Sequence, residues 1–544
     1  MKTIQCILLA GAISLPAVSE ATRRYVLPAE GLPSSGSISV AWKGTDTTTY
    51  PLYTSVADAV RSAAVSDSII LAPGTHNVTE TIDVNRRMSI VNGSWDNTYT
   101  AVPREDVVLC GNGSVPIMTV NAQAVLIRDL TFTNGYTNNV DGAACIMAMQ
   151  SAAHSLNVTN CVFRGNNSAG ACICSDNNNY WKIQDCVFSN NLQTASSGIG
   201  QGVAIKLTRT GVQSNEAAFG LINKCVFKDN TASAPQVRGG VVSANYGSVR
   251  IEGCSFVSNT VSQTGTSAMN GGALYVGPST KINGCTFIGA IPANSEYNVY
   301  GSVLDIYTGA DGCVVSNCTF TAIEEKTSTK AIYGTIHVGG NAAKFLNCNF
   351  TENTLYANSL LFVENKGDAL IRNCLFAGND RKKNTARLIY RHGTTVSTPT
   401  GITVENCTFA DNTDTIAPIY FSNASYANYL VNSVFTTDAI LSGATESSVL
   451  ASNCCFTALQ EVGGLSFNDK CITVAKGSHK FADAANGDYR LQGRSPLRDK
   501  GVTLDWMTDG SIDLDGNPRV FGDSPDIGCY ECVARYPGFT LFVR

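Results

Sequence analysis

Short apolar runs of alternating pattern recur along most of the chain. The clearest copies are Asn160-Cys161-Val162-Phe163, Asp185-Cys186-Val187-Phe188, Lys224-Cys225-Val226-Phe227, Gly253-Cys254-Ser255-Phe256 and Gly284-Cys285-Thr286-Phe287. Asn317-Cys318-Thr319-Phe320, Asn347-Cys348-Asn349-Phe350, Asn373-Cys374-Leu375-Phe376 and Asn406-Cys407-Thr408-Phe409 continue the series. Weaker copies end at Phe132 and Phe435. Successive phenylalanines lie mostly 25 to 33 residues apart, with one gap of 39. A period of this size marks a stacked repeat.

Alternate residues of a strand share a face, so Cys and Phe point the same way. The residue before each Cys position is Asn, Gly or Asp in ten of eleven copies, and these types tolerate left-handed backbone angles. One strand therefore ends, a single residue bends the chain, and the next strand begins with Cys and Phe inward. A further strand recurs between the copies, as in Gly272-Ala273-Leu274-Tyr275-Val276, Val303-Leu304-Asp305-Ile306-Tyr307, Gly334-Thr335-Ile336-His337-Val338 and Pro418-Ile419-Tyr420-Phe421. About three strands per coil and no helical periodicity predict an all-β chain: a right-handed parallel β-helix of roughly 11–13 coils, about 55 Å long at the usual strand spacing. The cysteines then form a stacked internal column of small apolar groups. A continuous run of disulfides down that column is impossible, because each sulfur bonds once.

Only 15% of the 544 residues are charged and the net charge is −5, which disfavours nucleic acid as a partner because no basic stripe faces phosphates. Lys2 followed by the apolar Ile4–Leu15 run reads as a secretory leader cleaved after Ala21. The run is too short to span a bilayer, and no other segment is apolar enough. The expected organisation is a leader over 1–21, a lead-in over 22–53, the β-helix over 54–480 and a C-terminal capping region and tail over 481–544. A monomer, secreted or held at a cell surface, is expected. The open end of a solenoid needs a cap, and Ser55–Ala63 fits a short capping helix with Ser55 as N-cap and Asp58 three residues on.

Two ends of the chain carry resemblances. Asp67, Ile69, Leu71, Pro73, Gly74 and Thr75 resemble the start of pectin-lyase-like β-helix proteins, with His76 where an aromatic is usual. Asp488-Tyr489-Arg490-Leu491, Ser495-Pro496 through Asp499 to Gly501, Asp513 through Gly516 to Pro518-Arg519, and Asp526 through Gly528 to Tyr530-Glu531 resemble the end of the bacterial choice-of-anchor Q β-helix proteins. That resemblance covers 488–531 and departs at Arg498-Asp499-Lys500 and Cys529; the apolar tail Phe539-Thr540-Leu541-Phe542-Val543 beyond it reads equally as a short sorting signal or as a last strand. The Phe-x-x-Asn copies (Phe163…Asn166 to Phe409…Asn412) and Gly271-Gly272-Ala273-Leu274 resemble repeats of polymorphic outer-membrane adhesins. The same asparagines also fit turns that stack side-chain amides between coils.

A β-helix places equivalent outward residues of successive coils side by side, which suits an extended polysaccharide. With Ile205, Leu274, Leu304, Ile336, Leu361 and Ile419 inward, the outward column holds Lys206, Tyr275, Asp305, His337, Phe362 and Tyr420. Glu364 and Arg391 fall in the adjacent outward column with Tyr307. Asp305 and Glu364 would stand two coils apart, about 9.6 Å along the stack, near the separation of roughly 6.5–9.5 Å used by inverting glycosidases. His337 would lie between them, Arg391 would hold an acidic sugar carboxylate, and Lys206 and the tyrosines would line the ligand.

Metal chemistry has little support. No histidine sits at ligand spacing from the paired cysteines, and Asp513-x-Asp515-Gly516-Asn517 is only a fragment of a calcium loop, so no cofactor is expected. Two readings stay open: a secreted protein that binds or cleaves complex polysaccharide, as a hydrolase or lyase in the second case, and a non-catalytic adhesin or structural solenoid.

Overall fold

In the computed structural model of the protein, the described residues are 23–533 except 29–35, 42–46, 94–102, 150–154, 177–179, 209–219, 246–248, 290, 293–296, 308, 326–330, 365–367, 383–385, 394–400, 414–416, 422–426, 438–440, 444–447 and 459–464. The expected leader and the apolar tail Phe539–Val543 lie outside them.

Each coil is a chain of short strands joined by bends. Lys281–Asn283 ends at Gly284, Thr286–Ile288 follows, Val299–Tyr300 leads into a corner at Gly301, and Leu304–Ile306 completes the coil before Val314–Ser316 starts the next. Stacking of coils produces three long sheets. The Phe sheet has 15 strands, from Gly74–Asn77 to Ile472–Thr473. The site sheet has 13, from Ile82–Val84 to Leu441–Gly443. The third sheet, of 18 strands, holds the segments that precede each bend. A flank sheet of five short strands, Ile199–Gln201 to Ile332–Tyr333, runs beside the site sheet. Among the described residues all pairings are parallel except Gly36–Ala41 with Thr47–Tyr53, Phe481–Asp483 with Asp488–Leu491 and the isolated bridge of Ile512 with Pro518. The fold is thus the expected parallel β-helix, with rather more coils than expected in the Phe sheet.

The single-residue bends behave as their composition requires. From Asp129 to Asn432 they have φ between 48 and 63°. Lys224, the one residue of another type, adopts φ 51° like the rest; the stacked neighbours hold it in a conformation that costs a non-glycine residue roughly 1–2 kcal/mol.

Inside, the rings stack from Phe132 to Phe456 as eleven consecutive pairs, with centroids 4.6–5.3 Å apart and planes within 18°. Coil spacing, not ring preference, sets this nearly face-to-face geometry. The cysteines form the expected column beside the rings: the N–H of Cys225 meets Sγ of Cys254 at 3.4 Å, and that of Cys285 meets Sγ of Cys318 at 3.4 Å. Burial pushes the thiols of Cys348 and Cys374 well above their ordinary range. All described cysteines are free thiols.

The asparagines of the Phe-x-x-Asn units build a second ladder. Nδ2 of Asn166, Asn191 and Asn230 each donates to Oδ1 of the Asn on the next coil at 2.9 Å. Asn353 and Asn379 repeat the pattern toward Asn412. Each Nδ2 also reaches a phenylalanine carbonyl of the coil before, as Asn230 reaches Phe188 at 2.9 Å. In the sequence, Ala290 and Ile323 stand at the Asn spacing in two of the copies. These amides lie within the wall, so their repetition has a structural cause.

The helix Val56–Ser62 covers the first coils, with Ser55 Oγ accepting from the N–H of Asp58 and Val56, Ala57, Ala59 and Val60 buried. The C-terminal segment lies along the outside of the Phe sheet. Leu491, Leu497, Ile527 and Cys532 pack on Val434 and Cys455, while Tyr489 and Cys529 pack on Leu375, Ala377 and Ala410. Its recurrent residues form one buried polar knot. Arg519 pairs with Glu531, both fully buried, and donates to the carbonyl of Asp526 at 2.8 Å. Asp526 accepts from the N–H groups of Asp499 and Cys532 at 2.7 Å each. Asp513 takes the N–H groups of Asp515 at 3.0 Å, Asn517 at 2.7 Å and Glu531 at 2.7 Å. In the acidic run, the Asp513 carboxylate thus holds a turn by accepting backbone N–H groups.

Candidate functional site

The site sheet aligns Lys206, Ser243, Tyr275, Asp305, His337, Phe362, Tyr390 and Tyr420 in one register column. Their neighbours Leu304, Ile306, Ile336 and Val338 belong to the main core, so the column points out of the tube. Even so, Asp305 is 1% exposed and His337 2%. The flank sheet is the reason. Its own column, Gln201, Arg238, Asn270, Tyr300 and Tyr333, folds over the site column at a sharp corner. A Cβ on Gly271 or Gly301 would sit 2.0 Å from the carbonyl oxygen of Leu274 or Leu304, and both residues have positive φ, so only glycine makes this corner.

Three of these flank residues, Asn270, Tyr300 and Tyr333, reach the site residue one coil further on. Asn270 Nδ2 donates to Asp305 Oδ2 at 2.8 Å. The Tyr300 ring meets His337 edge-on at 5.1 Å, and Tyr333 meets Phe362 the same way at 5.3 Å. Asp305 Oδ1 lies 2.7 Å from His337 Nδ1, and Glu364 Oε2 lies 3.6 Å from Nε2. The structure thus brings Asp305, His337 and Glu364 together. Burial disfavours a charged imidazole, but the two carboxylates outweigh it and hold the His337 pKa up to about 9. The Tyr300 phenol is raised by burial, with Tyr333, Glu364 and Asp305 adding to it. Asp305, with both oxygens engaged and its side chain 2% exposed, does not reach a ligand; the Glu364 side chain is 30% exposed.

Beneath the corner lies Glu325, 1% exposed. Its Oε1 accepts from the hydroxyls of Ser302 and Thr335, both at 2.8 Å, and its Oε2 from the N–H groups of Tyr356 at 3.0 Å and Ala357 at 2.6 Å. Ser302 and Thr335 directly follow the corner residues Gly301 and Gly334, so this carboxylate pins the turns that carry Tyr300 and Tyr333.

Several expected ligand residues are committed elsewhere. Lys206 is 1% exposed and pairs with Asp141 at 2.6 Å. Tyr275 is 2% exposed, edge-on to Tyr307 at 5.6 Å. Arg391 does not lie in the outward column. It registers with Val363 and Phe421, is 1% exposed, and donates to the carbonyls of Glu364 at 2.5 Å and His392 at 2.7 Å. Buried and donating to these carbonyls, it does not present its guanidinium to a sugar carboxylate. One residue later, His392 takes the place beside Glu364.

The surface that remains is aromatic. Tyr307 is 46% exposed. Tyr300 and Tyr333 stack at 4.9 Å and Tyr390 and Tyr420 at 4.7 Å, all four half-buried, while the buried Phe362 closes the inner end of the second stack at 5.1 Å. Arg387 lies 5.6 Å over the Tyr420 ring. Asn270, Tyr300, Tyr333 and Tyr390 escaped the sequence reading. For the first three a signal exists: each directly precedes a corner glycine, Gly271, Gly301 or Gly334.

No family model matches the chain, and neither does any curated protein. Among solved structures, it is similar to ORF18 of Geobacillus virus E2 (11% identity, 73% of this chain and 57% of that one, TM-score 0.29). It is also similar to the pectate lyase Pel9A (14% identity, 94% and 96%, TM-score 0.27). A third is the A-module of the mannuronan C-5 epimerase AlgE6 of Azotobacter vinelandii (11% identity, 77% and 96%, TM-score 0.30). The chain spans just over half of the viral protein. Likenesses at this level transfer no activity to this chain.

Proposed function

We propose that this protein binds an extended polysaccharide along the corner between the flank and site sheets. The observation that carries this reading is the pair of half-buried tyrosine stacks, Tyr300–Tyr333 and Tyr390–Tyr420, repeating at the coil spacing. Stacked rings present their edges and phenol hydroxyls outward, at intervals close to the length of one sugar along an extended chain. A polymer lying parallel to the stack meets the same donor, acceptor and apolar edge at every coil. Asp305 and His337 set the shape and charge of the floor, and Glu364 is the member of the trio that reaches the ligand. Binding is favoured over cleavage by two carboxylates, because such cleavage needs both acids open to the sugar, and Asp305 is not. The leader over 1–21 and the resemblance over 488–531 support secretion and retention at a bacterial cell surface.

A glycan array with reducing-sugar and unsaturated-product assays tests the reading. Wild type is expected to retain one class of glycan without turnover, and Tyr390→Ala/Tyr420→Ala to lose it. No retention of any glycan, or retention unchanged in the double variant, overturns the proposal; turnover abolished by Glu364→Ala restores the enzymatic reading.

A further inference from the structure

We propose that Cys454 and Cys471 form an oxidisable thiol pair that staples the last coil of the solenoid. Cys455 registers with Ile472, so Cys454 and Cys471, one residue earlier on each strand, are neighbours on adjacent coils. Backbones of adjacent parallel strands lie about 4.8 Å apart, inside the range of roughly 4.4–6.8 Å between Cα atoms that a disulfide spans. Both side chains face the same interior: Cys454 belongs to the main core, and Cys471 packs against it. Cys455 points the other way, into the cluster under the C-terminal segment.

Access singles out this pair. Every other described cysteine is buried, whereas Cys471 is partly exposed. Further up the column the thiols are sealed by the coils above and below and by the phenylalanine stack. An oxidant therefore meets the column only at its C-terminal end.

The reaction uses a small-molecule disulfide such as oxidised glutathione. The Cys471 thiolate, its proton lost to water, attacks one sulfur of that disulfide and expels a glutathione thiolate. Cys454, deprotonated in turn, attacks the mixed disulfide at the Cys471 sulfur and expels the second glutathione. One protein S–S bond forms, one glutathione S–S bond breaks, and two electrons pass from the protein to glutathione. Cys348, Cys374 and the rest of the column, sealed from the oxidant by the coils around them, stay reduced. The bond would close the loop from 454 to 471 and hold the final rung, on which the C-terminal segment packs.

The test is to treat the folded full-length protein with oxidised glutathione, alkylate, and map peptides without reduction. Fragment ions between residues 454 and 455 locate the link. The expected result is a single Cys454–Cys471 bond, a raised Tm relative to the reduced protein, and alkylation of the remaining column only after denaturation. Cys471→Ser, altered at a partly exposed position, is expected to fold with unchanged circular dichroism and to show no response to glutathione. A mixed disulfide that persists on Cys471, a bond made by Cys455, or no oxidation at all overturns the proposal.

Discussion

His337 stands one coil above Asp305 in the same column, and its Nδ1 meets Asp305 Oδ1 at 2.7 Å. The contact fixes the ring orientation and directs Nε2 toward Glu364. It places one imidazolium between two carboxylates in a site closed by Tyr300 and Phe362.

That arrangement makes the stability of this region depend on pH. The folded pKa of His337, about 9, is above the unfolded value of about 6.5. The stabilisation is fully present below about 6.5 and is lost as pH rises through about 9. The Tm of wild type should fall across this window more steeply than that of His337→Gln. Parallel curves would refute the charged bridge.

The phenylalanine stack predicts a large cost for any missing rung. Phe256→Ala removes a ring held between Phe227 and Phe287 and should destabilise by about 3–5 kcal/mol. Hydrogen exchange should quicken first in Val226–Lys228 and Thr286–Ile288, the strands paired to it. An even response along the solenoid would argue that the coils do not act as nearest neighbours.

Asn230 accepts from the N–H and Nδ2 of Asn191 and donates to Asn259 and to the carbonyl of Phe188. Asn230→Ala strands buried groups on two coils and should cost about 1–3 kcal/mol for each one left unmet. Asn230→Asp keeps the acceptor but sets a buried carboxylate oxygen against the Phe188 carbonyl and Asn259 Oδ1, so urea melts should place it no more stable than alanine.

The buried Arg519–Glu531 pair should be costly to break from one side. Arg519→Met leaves an unpaired carboxylate and is expected to lose about 3–5 kcal/mol, read as early proteolysis within 484–533. Arg519→Met with Glu531→Leu should recover part of that loss.

The sequence carried the architecture because its signals are local and repeated. A bend residue before Cys-x-Phe is legible wherever φ must be positive, and the Asn spacing follows the same period. The site was legible only in part. Alternation in Leu304–Ile306 and Ile336–Val338 located Asp305 and His337, but nothing local told that a second short sheet would bury them. That burial depends on the corner at Gly301, a contact between segments that one strand's pattern does not encode. Arg391 misled for a related reason: a charged residue was assumed to face solvent, whereas its long side chain reaches carbonyls at the sheet end. Glu325 left no trace, since its partners Ser302, Thr335, Tyr356 and Ala357 come from three coils.

The C-terminal segment doubles back along coils made long before it. During synthesis the solenoid can grow rung by rung as the chain emerges, while the outer faces of Leu375, Ala377, Ala410 and Val434 wait bare. They become covered only when residues 489–532 arrive and the Arg519–Glu531 knot closes. An unfinished or clipped chain would therefore display an oily stripe on an otherwise assembled rod, a mark by which a quality-control protease or chaperone could tell incomplete molecules from finished ones.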